Sequence, residues 1–294
     1  MLSLLFTDRG LIALGSLFYL AAFLFVLRFL WQDRQHSPGI TFLLVLAGWI
    51  LQTTGLYLRG LAVGGCPLGN GFEILQFVTW SLILLYLVVG TSFRLSLLGF
   101  FSAGLATTLS LLSLALPFLD STRRVWMEDV SVWVEFHAAL ALFSYGVFAI
   151  LALVCGMYLL RDRSLKKKTF GGVYHFLPSI RQLEEMKFRL LATGLLILTL
   201  SLFIGLVNWS QLESTVLPGK LGFTIALWAA YLALLLLRWR RLLSPKSLAW
   251  YCLGLFLIAL LSLGPINASR RDQPPAVSQQ APLPDPPPAA THVR

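Results

Sequence analysis

The residues of this chain whose types and spacing could do chemistry together lie on one apolar run. Trp133 to Leu160, WVEFHAALALFSYGVFAILALVCGMYLL, carries His137, with Trp133 four residues before it and Ser144 and Tyr145 seven and eight after. On a helix those offsets share a face. A neutral imidazole there can serve as an axial ligand of haem iron. It can equally hydrogen-bond a neighbouring helix, Glu135 or a backbone carbonyl, since polar side chains in membranes also act as interhelical glue. The residues alone leave both readings open. An ionisable group at the edge of an apolar span is costly, which marks it for function. The other histidines have no such setting: His36 and His175 sit among basic residues and read as solvated, and His292 lies near the C-terminus.

The elements that must position these residues are membrane helices. The 294 residues are 57% hydrophobic and only 12% charged, about half the charge of a soluble domain. Apolar runs long enough to cross a bilayer fall at about 11–31, 40–58, 72–90, 95–118, 133–160, 190–209, 221–237 and 248–266. The expected fold is an all-α integral membrane bundle of about eight transmembrane helices with short loops. Residues 1–266 form the membrane domain. Residues 267–294, rich in proline (QPPAVSQQAPLPDPPPAA), form a tail expected to be disordered. Pro178 and Ser179 precede a short amphipathic stretch expected to lie at the interface. The first nine residues do not read as a cleaved signal peptide.

The net charge of +10 does not point to nucleic acid, because the basic residues sit between spans and act as topology signals. Loops after spans one, three, five and seven hold Arg34, Arg94, the cluster from Arg161 to Arg189, and Arg238 to Lys246; the opposite side has scattered cations such as Arg9 and Arg59. The richer side is the cytoplasmic one. Both termini and His137 are then outside, which in a bacterial inner (plasma) membrane facing a second membrane means periplasmic.

Trp126, Trp133 and Trp209 lie near the outer boundary, as an aromatic belt requires, and would also suit a flat porphyrin. Glu135 is expected to face the headgroups. Asn70 and Glu73 flank span three on the same side, where an acid can simply be solvated. Cys155 and Cys252 fall within spans as small apolar residues, and Cys66 lies in a loop beside Pro67; no CxxC or CxxCH occurs.

Three segments carry a resemblance: NGFEILQFVTWSLILLYLVVG, WVEFHAALALFSYGVFAILALVCGMYLLRDRSLKKK and LPSIRQLEEMKFRLLATGLLILTLSLFIG. Over about residues 40–265 the chain resembles the cytochrome c assembly proteins of the CcsA/HemX type. The resemblance implies an eight-helix bundle that handles heme b, bound non-covalently, at the outer face. It also implies work with a second cytochrome c assembly membrane protein to present haem to apocytochrome c. It assigns His137 to the external haem-ligating histidine of the family, with Trp133, Tyr145 and Trp209 as haem-side candidates. The chain departs from the family in three places. NWSQLESTV stands where a tryptophan-rich segment is expected, GPINASRR has no second external histidine, and Gln52-Thr53 stands where span two should carry an intramembrane histidine. The short HemX-like branch therefore fits better than a full synthase, and the chain reads as an accessory component rather than a stand-alone enzyme. The alternative is a HemX-like regulator of haem biosynthesis acting through its basic cytoplasmic loops.

Overall fold

The computed structural model describes residues 7–32, 34, 37–93, 96–120, 132–168, 176–209 and 218–268. Trp126, His36, His175, His292 and the proline-rich tail lie outside these residues. Among the described residues there is no strand. Eight helices are long and apolar enough to cross a membrane, and the protein is a multi-pass helical membrane protein. They are α1 (Asp8–Trp31), α2 (Pro38–Val63), α3 (Gly71–Phe93), α4 (Ser96–Ala115), α5 (Val132–Lys167), α6 (Ile180–Trp209), α7 (Pro218–Trp239) and α8 (Pro245–Ala268).

Their ends follow local chemistry. The Thr7 hydroxyl accepts the Gly10 N–H at 3.1 Å and starts α1. Pro38 opens α2, and Gly64 closes it with φ 71°, a left-handed conformation that glycine adopts without strain. Only Leu116 separates the end of α4 from a single turn of 3-10 helix, Pro117–Asp120. Ser179 and Gln182 form a reciprocal cap: the Ser179 N–H donates to Gln182 Oε1 at 3.2 Å, and the Gln182 N–H to Ser179 Oγ at 3.4 Å.

That cap changes one expectation. The amphipathic stretch after Ser179 is not a separate interfacial helix. It is the first third of α6, continuous with the span. Its cation Lys187 is buried because it has a partner, donating to the Pro245 carbonyl at 3.0 Å.

α5 is the most deeply buried span and packs on α3, α4, α6 and α8. α1 to α4 form one half of the bundle. α1 and α2 meet through glycine: a Cβ on Gly15 would lie 2.8 Å from the Gly48 carbonyl, so only hydrogen fits there. Within this half a buried polar chain replaces the expected intramembrane histidine. Tyr19 donates to Gln52 Oε1 at 2.7 Å, Gln52 Nε2 donates to Gln76 Oε1 at 2.7 Å, and Gln76 Nε2 donates to Ser113 Oγ at 2.7 Å and Ser110 Oγ at 2.9 Å. The amides are engaged with one another, which is what a dry interior demands.

Candidate functional site

His137 sits near the start of α5, half-buried against α6. Its Nδ1 lies 2.6 Å from the Ser201 carbonyl oxygen. A carbonyl only accepts, so the proton is on Nδ1 and the lone pair of the neutral ring is on Nε2. The Ser201 hydroxyl donates back to the His137 carbonyl at 2.8 Å and lies 3.1 Å from Nδ1. One turn along α6, Gly205 leaves the space the ring occupies: a Cβ there would lie 2.7 Å from Cε1 and 2.8 Å from Nδ1. The interhelical hydrogen bond and the ligand role are therefore compatible. The bond uses one nitrogen, fixes the tautomer and leaves the other nitrogen with a free pair, as the outer-sphere partner of a metal-bound histidine does.

The remaining candidates take separate places. Trp133 is one turn nearer the start of α5 and 62% exposed. Tyr145 is eight residues deeper, about 12 Å along the helix; it is buried and paired with Ser262 of α8. Ser144 is buried and bonded to the Ala141 carbonyl at 2.6 Å. Trp209 ends α6, and its side chain lies outside the described residues.

Glu135, partly exposed, has a partner within the protein. Its carboxylate accepts the Cys66 N–H at 3.3 Å from the loop after α2. Glu135 and His137 are two residues apart and so point to different sides of α5. One ties the start of α5 to the α2–α3 loop and the other ties it to α6. Asn70 and Glu73 are not solvated, at 1% and 2% exposure. They belong to a buried cluster around Arg59, itself 1% exposed. Arg59 donates to Glu73 at 2.6 Å, to Asp8 at 2.9 Å and to Asp120, and its guanidinium lies 4.8 Å over the Phe72 ring. Asn70 donates to Asp120 at 3.0 Å, and Arg9 reaches the same acid at 3.5 Å. The cluster joins the start of α1, the end of α2, the start of α3 and the turn after α4. Beside it, between α2 and α3, a cavity of about 580 Å³ is walled by Tyr57, Phe77, Trp80 and Gly60 and contains no histidine.

Burial pushes the Cys66 thiol up to about 11, and the carboxylates of Glu135 and Glu73 add to the shift. The thiolate is the reactive form. Maleimide labelling of Cys66 in the intact protein is therefore expected to be slow at pH 8 and to rise about tenfold per pH unit up to pH 10. Glu135→Gln should raise the rate at pH 8 by removing one of the opposing charges. A rate that levels off near pH 9 would show an ordinary exposed thiol.

No group of three or more metal-ligating side chains occurs among the described residues. What fits haem iron is a single imidazole with a defined Nε2 pair, set in a space that a Cβ on Gly205 would fill. Sequence reasoning found His137 but missed Ser201 and Gly205, which carry no signal in an apolar run.

Comparison with known proteins agrees with the resemblance. A family model described as Cytochrome C assembly protein matches residues 68–265. Protein HemX of Brevibacillus brevis is 28% identical over 262 residues, covering 87% of this chain and 95% of that protein. Protein HemX of Bacillus subtilis (strain 168) is 27% identical over 201 residues, covering 68% and 70%. Cytochrome c biogenesis protein CcsA of Synechococcus sp. (strain RCC307) is 26% identical over 283 residues, covering 87% and 90%.

Proposed function

We propose, from the premise that this chain belongs to the cytochrome c assembly protein family, that it holds heme b non-covalently at the outer membrane face for attachment to apocytochrome c. A second assembly membrane protein would act with it, in a bacterial inner membrane with both termini outside. The observation that supports the reading is the His137–Ser201 bond, which leaves Nε2 free to ligate. Bound haem would supply the vinyl groups that become thioether links to the cysteines of the apocytochrome. The chain's own part is positional. Ser201 keeps the proton on Nδ1, Gly205 gives the ring its place, and Glu135 holds the end of α5 that carries His137. Exposed Trp133, one turn outward, offers a flat apolar surface to a porphyrin edge.

The expected result for purified protein is a Soret band in the wild type, lost in His137→Ala and regained with imidazole. No haem in either protein, both correctly folded, would remove the reading.

One observation favours a second reading, a HemX-like regulator of haem biosynthesis. α5 has 36 residues, about 54 Å, against a hydrocarbon core of about 30 Å. Its basic last turn, with Lys166 and Lys167 exposed, thus stands clear of the bilayer where a soluble enzyme could bind it. Neutralising Lys166, Lys167 and Lys168 separates the two: a regulator loses its soluble partner and keeps its haem content, whereas a haem holder without that partner changes in neither.

A further inference from the structure

We infer that the turn between α7 and α8 binds an anionic phospholipid, with Arg240, Arg241 and Lys246 on its phosphate and Trp239 and Leu242 against its acyl chains. Between Glu213 and Asp272 the chain has no acidic residue, so the α7–α8 hairpin carries positive charge alone. Arg238 is answered from α6, by Glu184 at 3.4 Å. Arg240, Arg241 and Lys246 are exposed and have no ion-pair partner among the described residues. Like charges on one short turn repel unless an anion lies among them.

The backbone marks the same place. α7 closes with two bonds: the Leu242 N–H donates to the Leu237 carbonyl at 2.9 Å, and the Arg241 N–H to the Arg238 carbonyl at 3.0 Å. This closure puts Arg241 at φ 57°, a left-handed position where glycine is usual and a side chain is strained. α2 has glycine at that position, Gly64. Arginine there works against the turn, which points to use outside it. Lys168 ends α5 with φ 53°, on the helix that outruns the bilayer. Arg241 lies at the bilayer's edge, where Trp239, Trp250 and Tyr251 are exposed as a belt of aromatic rings.

The turn is also held still. The Leu243 carbonyl accepts from Arg238 at 3.4 Å and the Pro245 carbonyl from Lys187 of α6 at 3.0 Å; Lys187 in turn lies 3.3 Å from the centroid of the Tyr158 ring of α5. Charge and apolar surface then meet on one fixed element: Trp239 is 67% and Leu242 76% exposed beside the cations, and the Arg240 guanidinium lies 5.9 Å from the Trp239 ring centroid. An acidic soluble partner would match the cations only. An anionic lipid matches both, with phosphate on the cations and chains on the apolar side. It would also secure α7, the span least buried in the bundle.

The test uses the full chain in maltoside detergent and native mass spectrometry, titrating phosphatidylglycerol or phosphatidylcholine with the same acyl chains. Wild type is expected to bind phosphatidylglycerol about tenfold more tightly, and Arg240→Gln with Lys246→Gln to bring the two lipids within about twofold. Arg241→Gly should lower the preference while its melting temperature without lipid stays at or above that of wild type, because glycine takes φ 57° freely. Lys166→Gln with Lys167→Gln, at the end of α5, should keep the preference. Equal affinities in wild type overturn the proposal, and so does a preference that survives loss of all three cations. A preference that falls as far in the Lys166 and Lys167 variant would show general charge attraction and overturns it too. So does an Arg241→Gly variant that melts lower and keeps the preference, since arginine would then serve only the turn. Displacement of the lipid by an equal concentration of glycerol phosphate would show a site for soluble anions, which also overturns it.

Discussion

Arg59→Met is expected to destabilise the folded protein by about 3–5 kcal/mol, the range for removing one partner of a buried ion cluster. Methionine retains the length and apolar stem of the side chain, so the loss is electrostatic. Arg59 is 1% exposed and lies among Asp8, Glu73 and Asp120, and the other cation of the cluster, Arg9, reaches only Asp120. Without Arg59, Glu73 remains buried with only Asn70 and the Gly69 N–H as donors. The acids at the start of α1, the start of α3 and the turn after α4 would then repel where they are now tied. Thermal unfolding in detergent measures the effect. A double variant, Arg59→Met with Glu73→Gln, should recover part of it by deleting the most buried acid. A single variant within about 1 kcal/mol of wild type would show a solvated cluster.

This cluster also shows what was legible in the sequence. Hydropathy alone revealed eight spans, because each must be apolar for the thickness of a bilayer. It misplaced the end of the second span and the start of the sixth, since a hydropathy reading stops at a charge. Arg59 and Lys187 both lie inside helices that continue past that point. Their burial is possible because partners come from other elements: Asp8 and Asp120 for Arg59, Pro245 for Lys187. Such pairings depend on how helices dock, which no local pattern encodes. The same applies to Gln52. Its polarity within an apolar run was visible, but its engagement with Tyr19 and Gln76 was not. Glu135 was legible as an ionisable group, but its partner, the Cys66 N–H, is a backbone atom 69 residues away and left no local sign.

His137 was found because a lone histidine beside an apolar span stands out; its support on α6 was not, being 64 residues distant. That support leads to the second large effect. Gly205→Ala should weaken haem binding about 10- to 100-fold, the usual cost of disturbing the partner of a metal-bound histidine. The added methyl would lie 2.7 Å from Cε1, 2.8 Å from Nδ1 and 3.2 Å from Nε2 of His137. The ring must turn away, and turning it breaks the 2.6 Å bond to the Ser201 carbonyl. Alanine otherwise favours a helix interior by about 1 kcal/mol over glycine, so lost haem without lost helicity is the signature. Ser201→Ala is the contrast: the carbonyl acceptor remains and only the hydroxyl bridge to the His137 carbonyl goes, so its effect should be a few-fold at most. Haem titration of the purified variants gives the affinities. The ¹⁵N shifts of the His137 ring, measured without haem, show whether Nδ1 keeps its proton. If Gly205→Ala moves those shifts but neither it nor the wild type binds haem, the helix contact is real and the haem assignment fails. If haem affinity is unchanged while the ring has moved, the iron is not on Nε2 of His137.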